Sequence, residues 1–350
     1  MALTSFFAPT VIAGPQLTEQ AKGRNVAIAD DVVGAALADR MLDPVLAAEA
    51  AGVDFALVAQ RWWGSGDDIE GSSFDALAMT AYYAARTSTI GLITAVHPGF
   101  FLPAPIAKWA ATIDRLTGGR WSINVTSGWN LDEFPMYGAD LVAHDERYVR
   151  SKEFIDILRG AWSGEELTYV GQYYSVEGLR LEPPPSTDHL TVFQGGQSDA
   201  ARTMAAEASD WMFLNGGPPE KIASIVDDVR ARAAGTGREV RFAVFGIPVC
   251  RATDADADAV VDGLVAGLDR STVARRRERV AGAEGMWAGG RDDDLTVLDT
   301  NEGYASRLIG SPATILRRLE EFVDAGVDCF HLSLRDRLFM AEVFPAIRDL

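Results

Sequence analysis

The sequence predicts one α/β domain, a (β/α)8 TIM barrel spanning residues 1–350. Short β-branched or aromatic runs alternate with longer helical patterns along 350 residues. Repeated strand-then-helix units imply a parallel sheet, and eight of them at this length favour closure. No composition break marks a domain boundary. An open doubly wound sheet is the alternative that the pattern leaves.

Leu3–Phe7 reads as the first strand. Leu42–Ala51 is a helix that Gly52 ends, and Phe55–Val58 is the second strand. Phe74–Thr87 is a helix, followed by strand Ile90–Ala95. The helix Ile106–Leu116 stops at Gly118-Gly119, a C-terminal glycine signal, before strand Arg120–Asn124. The scheme then repeats. Strand Leu190–Phe193 leads to helix Asp199–Ser209, and strand Met212–Leu214 to helix Pro219–Ala234. Strand Val240–Cys250 leads to helix Asp256–Leu268, and helix Pro312–Ala325 precedes the last strand, Cys329–Leu332.

Two segments break the alternation. Residues 126–184 hold a loop, a helix (Ser151–Trp162) and a hairpin (Leu167–Val170, turn Gly171-Gln172, Tyr173–Val176), an insertion after strand four. Residues 282–306 are Gly- and Asp-rich without periodicity, before the last helix. A long loop inside a barrel is functional or disordered, so this one is a mobile lid or a plain disordered segment.

The formal net charge is −18. Nucleic acid and anionic membrane surfaces need a basic face, so neither is an expected partner. The two cysteines, Cys250 and Cys329, lie far apart in apolar runs. They read as buried free thiols, in keeping with a reducing cytoplasm. The N-terminus lacks a basic, apolar signal pattern, and no run has the length of a membrane span.

In a barrel, function sits at the C-terminal ends of the strands. Strand three ends in Thr94-Ala95-Val96-His97-Pro98-Gly99, which puts Thr94 and His97 at the mouth or rim. His97 is either functional or a structural residue fixing the Pro98-Gly99 turn. Strand four ends in Asn124-Val125-Thr126-Ser127-Gly128-Trp129-Asn130, which suits ligand contacts or a capped turn. His144-Asp145-Glu146-Arg147-Tyr148 is a solvated helix start or an anion site, with Arg147 the forked donor. Gly195-Gly196-Gln197-Ser198 leads into a helix; it is a plain N-cap or a backbone cradle for an anion. The histidines at 97, 144, 189 and 331 are isolated, and no metal, nucleophile-elbow or P-loop motif is present. What remains is a phosphate cradle, an aromatic mouth (Trp62, Trp63, Phe100, Phe101, Trp129) and few acids or bases. That combination suits a cofactor carrying the chemistry.

PIAKWAATIDRLTGGR (Pro105–Arg120) running into WSINVTSGWNLDEFPMYG resembles the bacterial luciferase-like flavin monooxygenases. Within them it is similar to the branch of alkanesulfonate, dimethylsulfone and pyrimidine monooxygenases. HDERY, GGQSDAA and VFPAIRDL extend the likeness over nearly the whole chain. The resemblance implies a TIM barrel with the same two irregular segments. It implies reduced FMN from a separate NAD(P)H:flavin reductase, O2, a flavin (hydro)peroxide, and a homodimer or homotetramer. Asn124 would contact the flavin ring, Glu133 matches a flavin-site position of the pyrimidine branch, and Arg147, Tyr148, Gly196, Gln197 and Ser198 would hold the phosphate. Ala59 and Gln60 would lie along the flavin, although Gln60 replaces the lysine usual in the pyrimidine branch. His97 stands where alkanesulfonate enzymes carry an arginine, which points away from simple sulfonates. Thr94, His97 and Asn124 would hold the oxygen adduct, with His97 an acid/base near neutral pH. Trp62, Phe100 and Trp129 would face a small organic substrate, cyclic or organosulfur. A deazaflavin-dependent oxidoreductase and a non-catalytic flavin binder are the other functions this barrel accommodates.

Overall fold

Eight parallel strands close into a barrel in the computed structural model, which describes residues 1–13, 33–62, 72–280 and 294–350. In chain order they are β1 (Leu3–Ala8), β2 (Phe55–Val58), β3 (Gly91–Val96), β4 (Trp121–Val125), β5 (Val192–Gly195), β6 (Trp211–Leu214), β7 (Arg241–Gly246) and β8 (Cys329–Leu332). Each pairs with its sequence neighbours, and β1 pairs with β8 to close the ring. This is the predicted barrel, and the open sheet is ruled out.

Side chains alternate in and out along each strand. Leu57, Ile93, Phe193, Trp211, Ala243 and Cys329 pack inside the barrel with Phe7, Phe55 and Phe213. The Phe193 ring stacks on Trp211 with centroids 5.2 Å apart. The interior is thus a packed aromatic plug, as barrel interiors are; one cavity opens at the C-terminal mouth, and a separate pocket beside Asp210, Trp211 and Arg241 lies at the N-terminal end.

The predicted strand Val240–Cys250 divides. β7 stops at Gly246, and Val249–Cys250 forms a separate two-residue pair with Ile309–Gly310. Pro248 lies between them and has no N–H for a ladder. The insertion helix is longer than predicted, spanning His144–Trp162. HDERY is therefore its first turn, where Asp145 and Glu146 suit the positive end of the helix. The hairpin is present as Leu167–Val170 against Ser175–Leu179.

The helix Pro103–Thr117 shows what the long motif does locally. It ends on Gly118 at φ 66, a left-handed cap that favours glycine. Asp114 is 1% exposed. Its carboxylate accepts from Ser186 N (2.5 Å), Ser186 Oγ (2.6 Å), Thr187 N (3.2 Å) and Thr187 Oγ1 (2.9 Å). Arg115 donates to the Pro184 carbonyl at 3.0 Å, and Lys108 to that of Glu182. Arg120 donates to the Ile90 carbonyl at 2.6 Å and the Thr87 carbonyl at 3.0 Å. Asp114, Arg115 and Lys108 clamp the returning end of the insertion to the barrel, and Arg120 ties the start of β4 to the segment before β3.

The anticipated lid divides too. Residues 282–293 lie outside the described residues. Residues 294–306 pack against the barrel: Val297 and Leu298 are buried, Asn301 O accepts from Gly216 N at 3.0 Å, and Ser306 Oγ donates to Phe245 O at 2.5 Å.

Candidate active site

A cavity opens at the C-terminal end of the barrel, where the strand ends of all eight units converge. Strand alternation decides who reaches it. On β3, Ala95 faces the cavity, so Thr94 faces the helices. Its hydroxyl lies 2.8 Å from Thr80 Oγ1 and accepts from the Trp121 indole N–H at 2.9 Å. The placement of Thr94 at the mouth is thereby corrected: the hydroxyl joins strand to helix.

His97 does line the cavity. It is 3% exposed, and its Nδ1 has no hydrogen-bond partner. Burial, reinforced by the Arg61 guanidinium, pushes its pKa down to about 3. Burial therefore favours the neutral ring over the expected proton-carrying one.

Asn124 reaches the cavity from the end of β4. Its Nδ2 donates to Thr126 Oγ1 at 3.3 Å, and its buried Oδ1 has no partner. The following loop is held from behind. Ser127 Oγ lies 2.9 Å from Ser151 Oγ, and Arg147 donates to the Gly128 carbonyl. Gly128 sits at φ 96, and a Cβ there would come within 2.7 Å of the Phe134 ring. Trp129 lines the cavity, and the buried Arg276 guanidinium lies over its ring at 4.4 Å.

The phosphate-cradle segment joins β5 to the helix Asp199–Ala208. Gly195, Gly196 and Gln197 line the cavity, together with Tyr148. Gly196 has φ 123, and a Cβ there would sit 3.0 Å from Tyr148 OH. Ser198 caps the helix, accepting from Ala201 N at 3.3 Å and donating to Tyr148 OH at 3.5 Å. Its contact with the cavity therefore runs through Tyr148. On the insertion helix, His144 and Tyr148 lie one turn apart and both face the cavity. Arg147 projects from another side, 3% exposed, behind the loop it holds. The guanidinium assigned to a phosphate thus supports the wall instead.

Ala59 and Gln60 line the cavity at the end of β2. Gln60 Oε1 accepts from Ala76 N at 2.7 Å and its Nε2 donates to Arg61 O at 2.9 Å. A lysine has no acceptor for the Ala76 N–H, which accounts for the amide here. Glu133, 2% exposed, is not on the cavity wall; its carboxylate accepts from Trp62 N at 3.0 Å. Trp62 stacks on Phe100 (centroids 4.9 Å, 13°) beside His97, an aromatic rim just outside the cavity wall. Trp63 lies outside the described residues.

Several wall residues were not foreseen: Phe7, Phe213, Asn215, Phe245, Asn301 and His331. For Phe7, Phe213, Phe245 and His331 the signal was in-facing register at the C-terminal half of a strand, which depends on which face of each run is inside; Asn215 and Asn301 come from the segments beyond the strands. Among the described residues the wall carries Arg61, Tyr148, His144 and two buried neutral-held histidines, His97 and His331, but no carboxylate, lysine or thiol.

The family model of luciferase-like monooxygenases matches residues 5–329. An FMNH2-dependent dimethylsulfone monooxygenase of Pseudomonas fluorescens (strain Pf0-1) is 38% identical over 316 residues, 87% of this chain and 85% of that protein. One from Pseudomonas putida is 37% identical over 317 residues, covering 87% and 86%. The solved EDTA monooxygenase from Chelativorans sp. BNC1 superposes with a TM-score of 0.78 at 21% identity, over 99% of this chain and 93% of that one. That last likeness bears on the fold.

Proposed function

Because this chain belongs to the luciferase-like monooxygenase family, we propose that its cavity takes reduced FMN from a separate reductase and uses O2 to oxygenate a small organosulfur compound. Dimethylsulfone is the first candidate, since two relatives at 37–38% identity act on it by name. The observation that carries the cofactor requirement is the wall itself. With no carboxylate, lysine or thiol among its described residues, the protein brings little acid, base or nucleophile of its own, and the electron chemistry falls to a bound group.

The residues fit that group. Gly195 has open space where a side chain would be, and Gly196 brings backbone close to Tyr148 at a helix N-terminus; backbone N–H groups in such a setting suit a phosphate. Asn124 Oδ1 is a buried acceptor without a partner, which a flavin ring N–H would satisfy. Bound reduced FMN would supply the electrons that activate O2. The chain's own part is holding and drying. Tyr148, with Ser198 behind it, and the glycine segment would hold the phosphate end; Asn124, Ala59 and Gln60 would hold the ring. His97, kept neutral by burial and with Nδ1 unpartnered, would offer a hydrogen bond to the bound ligands. Arg147 positions the Thr126–Trp129 loop through the Gly128 carbonyl, and Glu133 positions the Trp62–Phe100 rim through Trp62 N. Trp129 and Phe213 give the substrate an apolar wall.

The test is turnover of dimethylsulfone with FMN, NAD(P)H and a flavin reductase under air containing 18O2, with one labelled oxygen expected in the product. Equal turnover under strict anaerobiosis would refute the oxygenase assignment. Replacement of FMN by a deazaflavin with undiminished turnover would assign hydride transfer instead.

A further inference from the structure

Three side chains at the floor of the cavity form a chain that the function above does not use. The Cys329 thiol lies 3.5 Å from Ser5 Oγ, and Ser5 Oγ lies 2.8 Å from His331 Nδ1. Ser5 stands opposite His331 in the β1–β8 register. Their exposures are 0% for Ser5, 1% for Cys329 and 2% for His331. His331 Nε2 has no hydrogen-bond partner, and the ring borders the cavity. Phe7, Phe213 and Phe245 surround that ring with centroids at 4.2, 5.2 and 5.4 Å, and all three line the cavity.

The direction of the chain follows from the partners. Burial pushes the Cys329 thiol up to about 12, so it stays S–H. Sulfur is a weak acceptor and an imidazole nitrogen a good one. The Ser5 hydroxyl therefore accepts from the thiol and donates to Nδ1, leaving the ring proton on Nε2. Burial alone holds the ring neutral, with a pKa down to about 3; no charged group contributes, whereas Arg61 acts on His97.

We propose that Cys329 and Ser5 lock His331 as its Nε2–H tautomer, making one neutral hydrogen-bond donor in an aromatic cage that selects a small neutral substrate through a single acceptor oxygen. Ser5 and Cys329 are positioning residues, and His331 is the group that touches substrate. A buried donor left unmade is unfavourable, so a molecule without an acceptor oxygen is rejected, as sites built to bond one polar atom reject its apolar analogue. A full anion is disfavoured as well, because the cage offers no countercharge for what it desolvates. A sulfone oxygen fits both conditions. The substrate half of this inference rests on the oxygenase assignment above; the tautomer half does not.

Two measurements test it. Protein labelled with 15N-histidine is examined by long-range 1H–15N NMR at pH 7, with and without FMN. His331 is expected as the Nε2–H form, and Ser5→Ala is expected to mix the tautomers. An Nδ1–H pattern in the unsubstituted protein, or an unaltered pattern in Ser5→Ala, overturns the lock. In steady-state assays with saturating reduced FMN, His331→Phe is expected to raise KM for dimethylsulfone about tenfold, the worth of one such hydrogen bond. His331→Gln, whose amide places an N–H near the Nε2 position, is expected to recover most of it. FMN affinity, read by flavin fluorescence, is expected to stay within about twofold in both variants. An unchanged KM in His331→Phe overturns the selection role. If the unsubstituted protein turns over no dimethylsulfone, the oxygenase assignment and the selection role built on it fail together, and the NMR result still decides the tautomer.

Discussion

Asp114→Ala separates the two meanings of the TIDRLTGGR motif. If the motif is a clamp, its loss lowers stability and leaves the cofactor site alone. The substitution deletes one carboxylate and with it four hydrogen bonds, two to backbone N–H and two to hydroxyls of Ser186 and Thr187. Bonds to a charged acceptor are worth about 1.5–3 kcal/mol each in favourable cases. Ser186 is exposed and recovers water, so the sum is discounted to about 2–4 kcal/mol. At about 2.1 cal/mol/K of unfolding entropy per residue, 350 residues give about 0.7 kcal/mol/K. The expected fall in Tm is therefore about 3–6 °C. Scanning calorimetry at pH 7 measures it, and a flavin fluorescence titration in parallel reads FMN affinity, expected to change less than about threefold because Asp114 is no part of the cavity wall. An unchanged Tm with a lost FMN site would refute the clamp and assign the motif to cofactor binding.

Gly196→Ala is expected to weaken FMN binding about tenfold by fluorescence titration, because the residue sits at φ 123 and its Cβ would press on Tyr148 OH; an undiminished affinity would remove Gly196 from the cradle. Thr94→Val is expected to lower stability by about 1–2 kcal/mol through loss of the Thr80 and Trp121 bonds, with KM and kcat unchanged; a selective fall in kcat would restore it to the chemistry. His97 carries a pKa near 3 when folded against 6.5 ordinarily, so the unfolded chain binds the extra proton between those values and stability falls as pH drops through that window. His97→Gln is expected to flatten the decline of Tm between pH 6.5 and 4, and parallel Tm curves for the two proteins would contradict a buried neutral ring.

The fold was legible because a barrel repeats one local pattern. Each strand needs only a short apolar run and each helix a stop such as Gly118, and both are written within a few residues of where they act. Most strand limits agree with prediction to within two residues, and the split of β7 from Val249–Cys250 follows a single proline. The site was legible only in part. Asn124, His97, Trp129, Tyr148 and the Gly195–Gln197 segment stand at strand ends or helix starts, and strand ends open onto the mouth whatever the fine register. Thr94, Arg147 and Glu133 come from the same motifs yet face away. A one-residue step on a strand reverses the side chain, and a one-residue step on a helix turns it by about 100°.

The sequence by itself therefore determined the barrel, its insertion and the glycine turn from β5 into the next helix, since these rest on local periodicity and backbone permissiveness. Only the tertiary structure decided which side of each strand is the interior. That choice puts Thr94 against Thr80 and aims His331 at the cavity between Phe7, Phe213 and Phe245. It also brings Ser5 and Cys329, from opposite ends of the chain, within hydrogen-bonding distance of each other. Closure of β1 on β8 makes these contacts, and no pattern within either strand specifies which residues meet across that seam.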